Sequence, residues 1–232
     1  MNTTNTTFLS ELRRKMVSSP AFIAVELALI LALIAANQLN IIRVPLSLTL
    51  PLILMGWLSL RLRGSGWHAV GLRRPERWRT TIPLALLIAV VHQCASTFVL
   101  IPFLQQVTGQ PIDLSLVDQI EGNLVLLGVG VVIAWLLAGF GEEMVYRGYI
   151  LNRFADLFNS RPAGWLLGFI VSVLLFSWIH QYQGIVGIID SIVSGALWGG
   201  LYFLAGRRLW LPILSHGFYD TIAFVFAYFG II

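Results

Sequence analysis

The stretch Asn123–Gly148, NLVLLGVGVVIAWLLAGFGEEMVYRG, decides how the rest of the chain is read. From Asn123 to Phe140 it carries no charge, and an apolar run of that length is a candidate to cross a bilayer. Directly after it come Glu142, Glu143 and Arg147. Ionisable groups at the edge of an apolar span are expensive to place there, so they mark a functional site by default. Glu143 and Arg147 stand four apart and share a helix face, with the acid N-terminal to the base, the better order for such a pair. Glu142 is turned away by about 100° and lacks that counter-ion. The spacing therefore makes Glu142 the candidate general base, with Glu143 and Arg147 as its scaffold. A plain ion-pair cluster at a helix end is the alternative.

The whole composition agrees with a membrane protein. Of 232 residues, 57% are hydrophobic and only 11% charged, against roughly 25% charged in soluble domains. Mean hydropathy is +0.82. The expected fold is all-α, a polytopic membrane helix bundle of about seven transmembrane helices. Residues 1–20 form a polar cytoplasmic segment and 21–232 a single membrane domain, with the motif-bearing core at 123–230. The net charge of +4 is no sign of nucleic-acid binding, because the basic residues sit in short clusters between apolar runs. Cys94 is the only cysteine, which excludes an intramolecular disulfide and a cysteine-rich metal site. The run after Pro20 is longer than the 7–15 apolar residues of a secretory signal and is read as a retained first helix.

The expected spans are Ala21–Ala36, Ile42–Leu60, Thr81–Phe103, Asn123–Phe140, Gly164–His180, Ile185–Ala205 and Trp210–Phe229. The fourth is expected to continue as a helix through Arg153. Pro45 and Pro51 make the start of the second one kinked or extended. With seven alternating spans, Arg13, Arg14, Lys15 and the arginines of the second, fourth and sixth loops share one side. The opposite loops hold only Arg43, and the long one carries Asp113, Asp118 and Glu121. The positive-inside rule then puts the N-terminus in the cytoplasm and the C-terminus outside. The loop Arg61–Arg79 is read as cytoplasmic with Trp67 at the interface, or as a surface helix that gates access.

Two further polar pairs stand on apolar segments. Phe176 and His180 close the fifth span. His216 and Asp220, four apart, share a face of the seventh, where an Asp in mid-span needs a partner or a proton. The bland alternatives are a packed interfacial His180 and a hydrogen-bonded His216–Asp220 pair. Linear reading leaves Glu142 and His180 near opposite ends of their spans, a tension resolved if the Glu helix dips into the membrane or His180 lies deeper. His216, near the cytoplasmic start of its span, suits a cytoplasm-facing site. Glu26 is expected near the interface, and His92 and Gln93 are expected to bond across helices. Asp190 either lines the cavity or pairs with an arginine.

In their order and spacing, Glu142-Glu143-x-x-x-Arg147, Phe176-x-x-x-His180 and His216-x-x-x-Asp220 resemble the motifs of the CPBP family, also called the Abi family. It comprises type II CAAX prenyl proteases and bacteriocin-processing or self-immunity proteins. The likeness covers roughly Val129 to Asp220. The glycine-rich Asp190–Gly200 resembles another family motif, although small residues there also permit close helix approach. The resemblance implies an intramembrane endopeptidase that hydrolyses a peptide bond of a membrane-associated substrate near the cytoplasmic face. It implies that Glu142 and His180 activate water and that His216 and Asp220 support the oxyanion. Well-understood relatives have Asn where this chain has Asp220, and an ionised Asp would repel an oxyanion. Either Asp220 is protonated, or it holds His216 as imidazolium and His216 alone donates; the second is favoured.

Relatives are often named metalloproteases, yet there is no His-Glu-x-x-His helix here. Glu142, His180 and His216 could form a zinc site with an open position, or orient a metal-free water. The metal-free mechanism is favoured, so no cofactor is required and zinc is the alternative. The expected partners are membrane lipid and a peptide or membrane-tethered protein substrate, prenylated or not, with no nucleic acid. A non-proteolytic membrane regulator or immunity protein of the same fold is the competing reading. A small transporter ranks last, because no inverted repeat is visible. The arginine-rich, disulfide-free chain is compatible with a prokaryotic cytoplasmic membrane.

Overall fold

A computed structural model describes residues 16–45 and 47–232. Arg13, Arg14, Lys15 and most of the expected N-terminal segment lie outside the described residues. Seven principal helices follow one another: α1 (Pro20–Gln38), α2 (Thr49–Leu62), α3 (Trp78–Thr108), α4 (Leu124–Leu157), α5 (Pro162–Trp178), α6 (Gly184–Leu204) and α7 (Trp210–Tyr228). They take up the seven expected spans in order, and no strand occurs among the described residues. Helix starts follow local chemistry. The Ser19 hydroxyl accepts from the Phe22 amide at 3.3 Å ahead of Pro20, and the Asn123 side chain accepts from the Leu126 amide at 3.1 Å.

Four helical stretches are long and apolar enough to cross a membrane: α1, α3, α4 and Gln181–Leu204, which adds a short 3₁₀ turn to α6. α2 is shorter than expected. It begins at Thr49 rather than Ile42 and runs for 14 residues, about 21 Å against a bilayer core of about 30 Å. Pro45 biases the residue before it away from helix, and Arg43, Val44, Pro45, Ser47 and Leu48 all stand outside a helix. Pro51 falls in the first turn, where the missing N–H costs nothing.

α4 bears out the expected continuation past Phe140. It runs unbroken for 34 residues, so both glutamates sit near its middle. From Ala134 to Glu142 and again from Met144 to Ile150 its turns are π-helical. Such wide turns are rare and occur mostly at functional sites.

Contacts between loops sort the bundle into two ends. At one end Leu209 donates its amide to Gly71 O (2.9 Å), Arg208 pairs with Glu76 (2.8 Å) and Arg63 grips both oxygens of Glu26. Glu26 is therefore paired, rather than free at an interface. At the other end Asp113 donates its amide to Gln183 O (3.1 Å), Gln181 reaches Gln38 O (2.8 Å) and Gly122 donates to Tyr228 O (3.0 Å). Arg207 also lies over the Trp165 ring at 4.7 Å, and Trp165 donates to Ser160 O of loop four, so loops two, four and six gather at the arginine-bearing end, and loops one, three and five with the C-terminus at the opposite end. Trp67 is no free surface anchor: its ring lies against Gly56 of α2.

The core lies between α1, α4, α5 and α6. Ile23, Leu27, Ile30 and Ile34 of α1 join Tyr149, Ile150 and Phe154 of α4 in one buried cluster. Leucines and valines on the outward faces of α3 and α4, such as Leu87, Val91, Val129 and Leu136, are exposed. An apolar exterior of this extent suits contact with lipid.

Candidate active site

Two glycines let the two main motif helices meet. A Cβ on Gly139 of α4 would lie 2.9 Å from Gly217 Cα, and one on Gly217 of α7 would lie 2.7 Å from the Trp135 ring. Backbone therefore packs on backbone one residue after His216, which brings α7 against the charged turn of α4. Glu143 and Arg147 are both fully buried and pair at 2.8 Å. The same Glu143 Oε1 accepts from His216 Nδ1 at 3.0 Å. The second arm of Arg147 donates to Gly195 O of α6 at 2.9 Å, and its guanidinium lies 4.7 Å from the centre of the Phe176 ring. Four helices are thus tied to one buried ion pair. Charges so far from water persist only when paired and hydrogen-bonded.

His216 Nε2 points along α7 to Asp220 Oδ2 at 3.5 Å, too long for a strong hydrogen bond. Its ring lies flat on Trp198, 3.7 Å between centroids and 15° between planes. Trp198, Gly195 O and Phe176 form the rigid wall that fixes the histidine and the arginine. Phe176 in turn packs on His180 at 4.7 Å. His180 Nδ1 lies 2.8 Å from Phe176 O. A carbonyl only accepts, so Nδ1 carries the proton and Nε2 is left as an acceptor.

Glu142, Phe176, His180, His216 and Asp220 all line one cavity of about 420 Å³. Glu142 Oε2 is buried and makes no hydrogen bond to the described residues. Glu143 and Arg147 stand behind it and do not line the cavity. The tension over His180 disappears, since α4 carries Glu142 to mid-bundle and His180 packs beneath Phe176 in the α5–α6 turn. The cavity also receives Ile112, Leu114, Leu116 and Val117 of the third loop, with Tyr182 and Gln183. That loop is at the end opposite the arginines. A cytoplasm-facing site and an arginine end in the cytoplasm, both expected from sequence, are therefore incompatible with this cavity.

Asp190 lines the cavity and accepts from Ser96 at 2.5 Å and from Tyr219 at 3.4 Å, and no arginine among the described residues pairs with it. His92 bonds across helices to Ser194 at 2.8 Å, whereas Gln93 bonds within its own helix to Thr97 at 2.9 Å. Sequence reading gave no part in the site to Trp198, Tyr219 or Thr97, and assigned Gln93 a bond across helices rather than a place in the cavity wall. Asp190, Ser194 and Trp198 repeat every four residues, a helix-face signal that the glycine-rich reading of this stretch hid.

Among the described residues no three His, Cys, Asp or Glu side chains converge as metal ligands. His216 commits Nδ1 to Glu143 and points Nε2 towards Asp220. As arranged, Glu142, His180 and His216 do not make a zinc ligand set.

Residues 124–222 match the family model for type II CAAX prenyl endopeptidase Rce1-like proteins. That segment covers the stretch from Val129 to Asp220 that bears the motifs. No curated protein and no solved structure matches the chain.

Proposed function

We propose, taking as premise that residues 124–222 match a prenyl endopeptidase family, that the chain is an intramembrane endopeptidase working through water and a glutamate. The observation that carries the reading is Glu142: a carboxylate with an unpartnered oxygen on the wall of the cavity that His180 and His216 share. Water in that cavity gives its proton to Glu142, while its other hydrogen bonds to His180 Nε2. The resulting hydroxide adds to the carbonyl carbon of the scissile peptide. His216, donating from both ring nitrogens as imidazolium, gives Nδ1–H to Glu143 and Nε2–H to the new oxyanion. Asp220 beside it balances the charge. Glu142 then passes its proton to the departing amine. No step runs through a metal.

The test is cleavage of fluorogenic peptides, prenylated and unprenylated, by the purified protein. Glu142→Gln and His180→Ala should each lower the rate by about 10²–10⁴-fold, and a zinc chelator should leave it unchanged. Wild-type rates in Glu142→Gln would sink the hydrolytic reading and leave a regulator that binds through the same cavity.

A further inference from the structure

The cavity and the arginines lie at opposite ends of the molecule. Ten of the twelve arginines among the described residues sit on or beside the second, fourth and sixth loops, from Arg61 to Arg208. Arg147 is in the core, and Arg43 alone is at the other end. Not one residue of 61–79, 157–162 or 205–209 lines the catalytic cavity. Its outer lining comes instead from the third loop, the α5–α6 turn, Ser47 and Ile232. A separate groove at the arginine end, lined by Glu76, Arg77, Arg208 and Trp210, contains no motif residue. Loops rich in arginine are retained in the cytoplasm.

The lining also has a sign. Glu142, Asp190 and Asp220 contribute carboxylates, and neither a lysine nor an arginine lines the cavity among the described residues. Exposed Asp113 lies on the loop that caps the mouth. A short C-terminal tail entering with its free carboxylate would meet three carboxylates, while the one cationic side chain of the lining, His216, is already committed to Glu143 and Asp220.

We infer that the cavity is served from the non-cytoplasmic face, and that its substrate is an internal, neutral or cationic peptide segment of an exported or membrane-anchored protein exposed there. The substrate half of this rests on the endopeptidase reading; the sidedness does not.

Because Cys94 is the only cysteine, a Cys94→Ser background accepts single reporters. Ser115→Cys on the third loop and Ala69→Cys in the second, both exposed, are challenged with a membrane-impermeant maleimide on intact cells and again after permeabilisation. The expected result is labelling of Ser115→Cys in intact cells and of Ala69→Cys only after permeabilisation. The reverse pattern, or equal labelling of both in intact cells, overturns the sidedness. Gln110→Cys and Arg74→Cys, also exposed, form a second pair should one reporter not fold. In the second arm, peptide is added to right-side-out and inverted vesicles. Cleavage at least tenfold faster in right-side-out vesicles supports the inference, as does faster cleavage of cationic, amidated peptides than of acidic peptides with free C-termini. Equal rates across the vesicles, or faster cleavage of the acidic peptides, overturn it. Cleavage in neither vesicle nor detergent defeats the endopeptidase reading, while the labelling still decides which way the cavity faces.

Discussion

Arg147 has no exposed surface, and among the described residues Glu143 is the one carboxylate that pairs with it. Arg147→Met should leave buried Glu143 with His216 as its one remaining partner, and breaking a buried pair in this way costs about 3–5 kcal/mol. Thermal unfolding in detergent reads that loss. Replacing both partners, Glu143→Leu with Arg147→Met, should recover much of the stability, since an apolar pair of similar volume is tolerated where a lone charge is not. Peptide cleavage should remain lost in the double variant, because His216 Nδ1 then has no acceptor. A single variant as stable as wild type would mean the pair does not organise the site. At this scale the sequence was informative within a helix and silent between helices. The four-residue spacing announces Glu143–Arg147 and His216–Asp220. Nothing in it says that His216 of α7 would bond to Glu143 of α4, because which helices meet depends on glycines and side-chain volumes far apart in the chain.

Two elements carry the site. α4 is widened by π-helical turns on both sides of Glu143, and α7 crosses it through Gly139 and Gly217. Gly217→Ala inserts a methyl group into the Trp135 ring, and overpacking of this kind costs about 1–3 kcal/mol. It should also pull His216 off Glu143, so cleavage should fall further than stability does. Gly128→Ala is the control: beyond its chain neighbours and the helix's own backbone nothing lies within 4 Å of the added methyl, and in a helix the change should stabilise by about 0.5–1 kcal/mol. Comparing melting temperatures and cleavage rates of the two variants decides whether the crossing is as tight as described. The helices themselves were legible from long uncharged runs. The π-helical widening was not, since no residue pattern on Ala134–Ile150 distinguishes it from an ordinary apolar helix. The late start of α2 was visible only as a choice, because Pro45 permits either a kinked or an extended entry.

On the scale of the whole molecule, the segment that matches the family is not self-sufficient. Residues 124–222 bury Tyr149, Ile150 and Phe154 against α1, and the Asp190 carboxylate takes its hydrogen bond from Ser96 of α3. Gln93 and Thr97 of α3 also line the cavity. A fragment of residues 121–232 should therefore fail to give a monodisperse protein in detergent, and co-expression with residues 1–110 should restore both assembly and cleavage. A well-behaved, active fragment would show that α1 to α3 are dispensable. The alternation of loops was readable from arginine placement, and the contacts between loops reproduce that sorting. Which end the cavity opens to was not readable, because depth along tilted helices of unequal length does not follow from residue counts.

The face-to-face stacking of Trp198 on His216 has an optical consequence. An imidazolium lying on an indole accepts its excited-state electron, so Trp198 should be dark among the eight tryptophans of the chain. Anything that lifts or turns the histidine relights it. The difference in emission between wild type and Trp198→Phe is then a label-free readout of occupancy, and it should grow when a peptide draws His216 Nε2 towards its carbonyl.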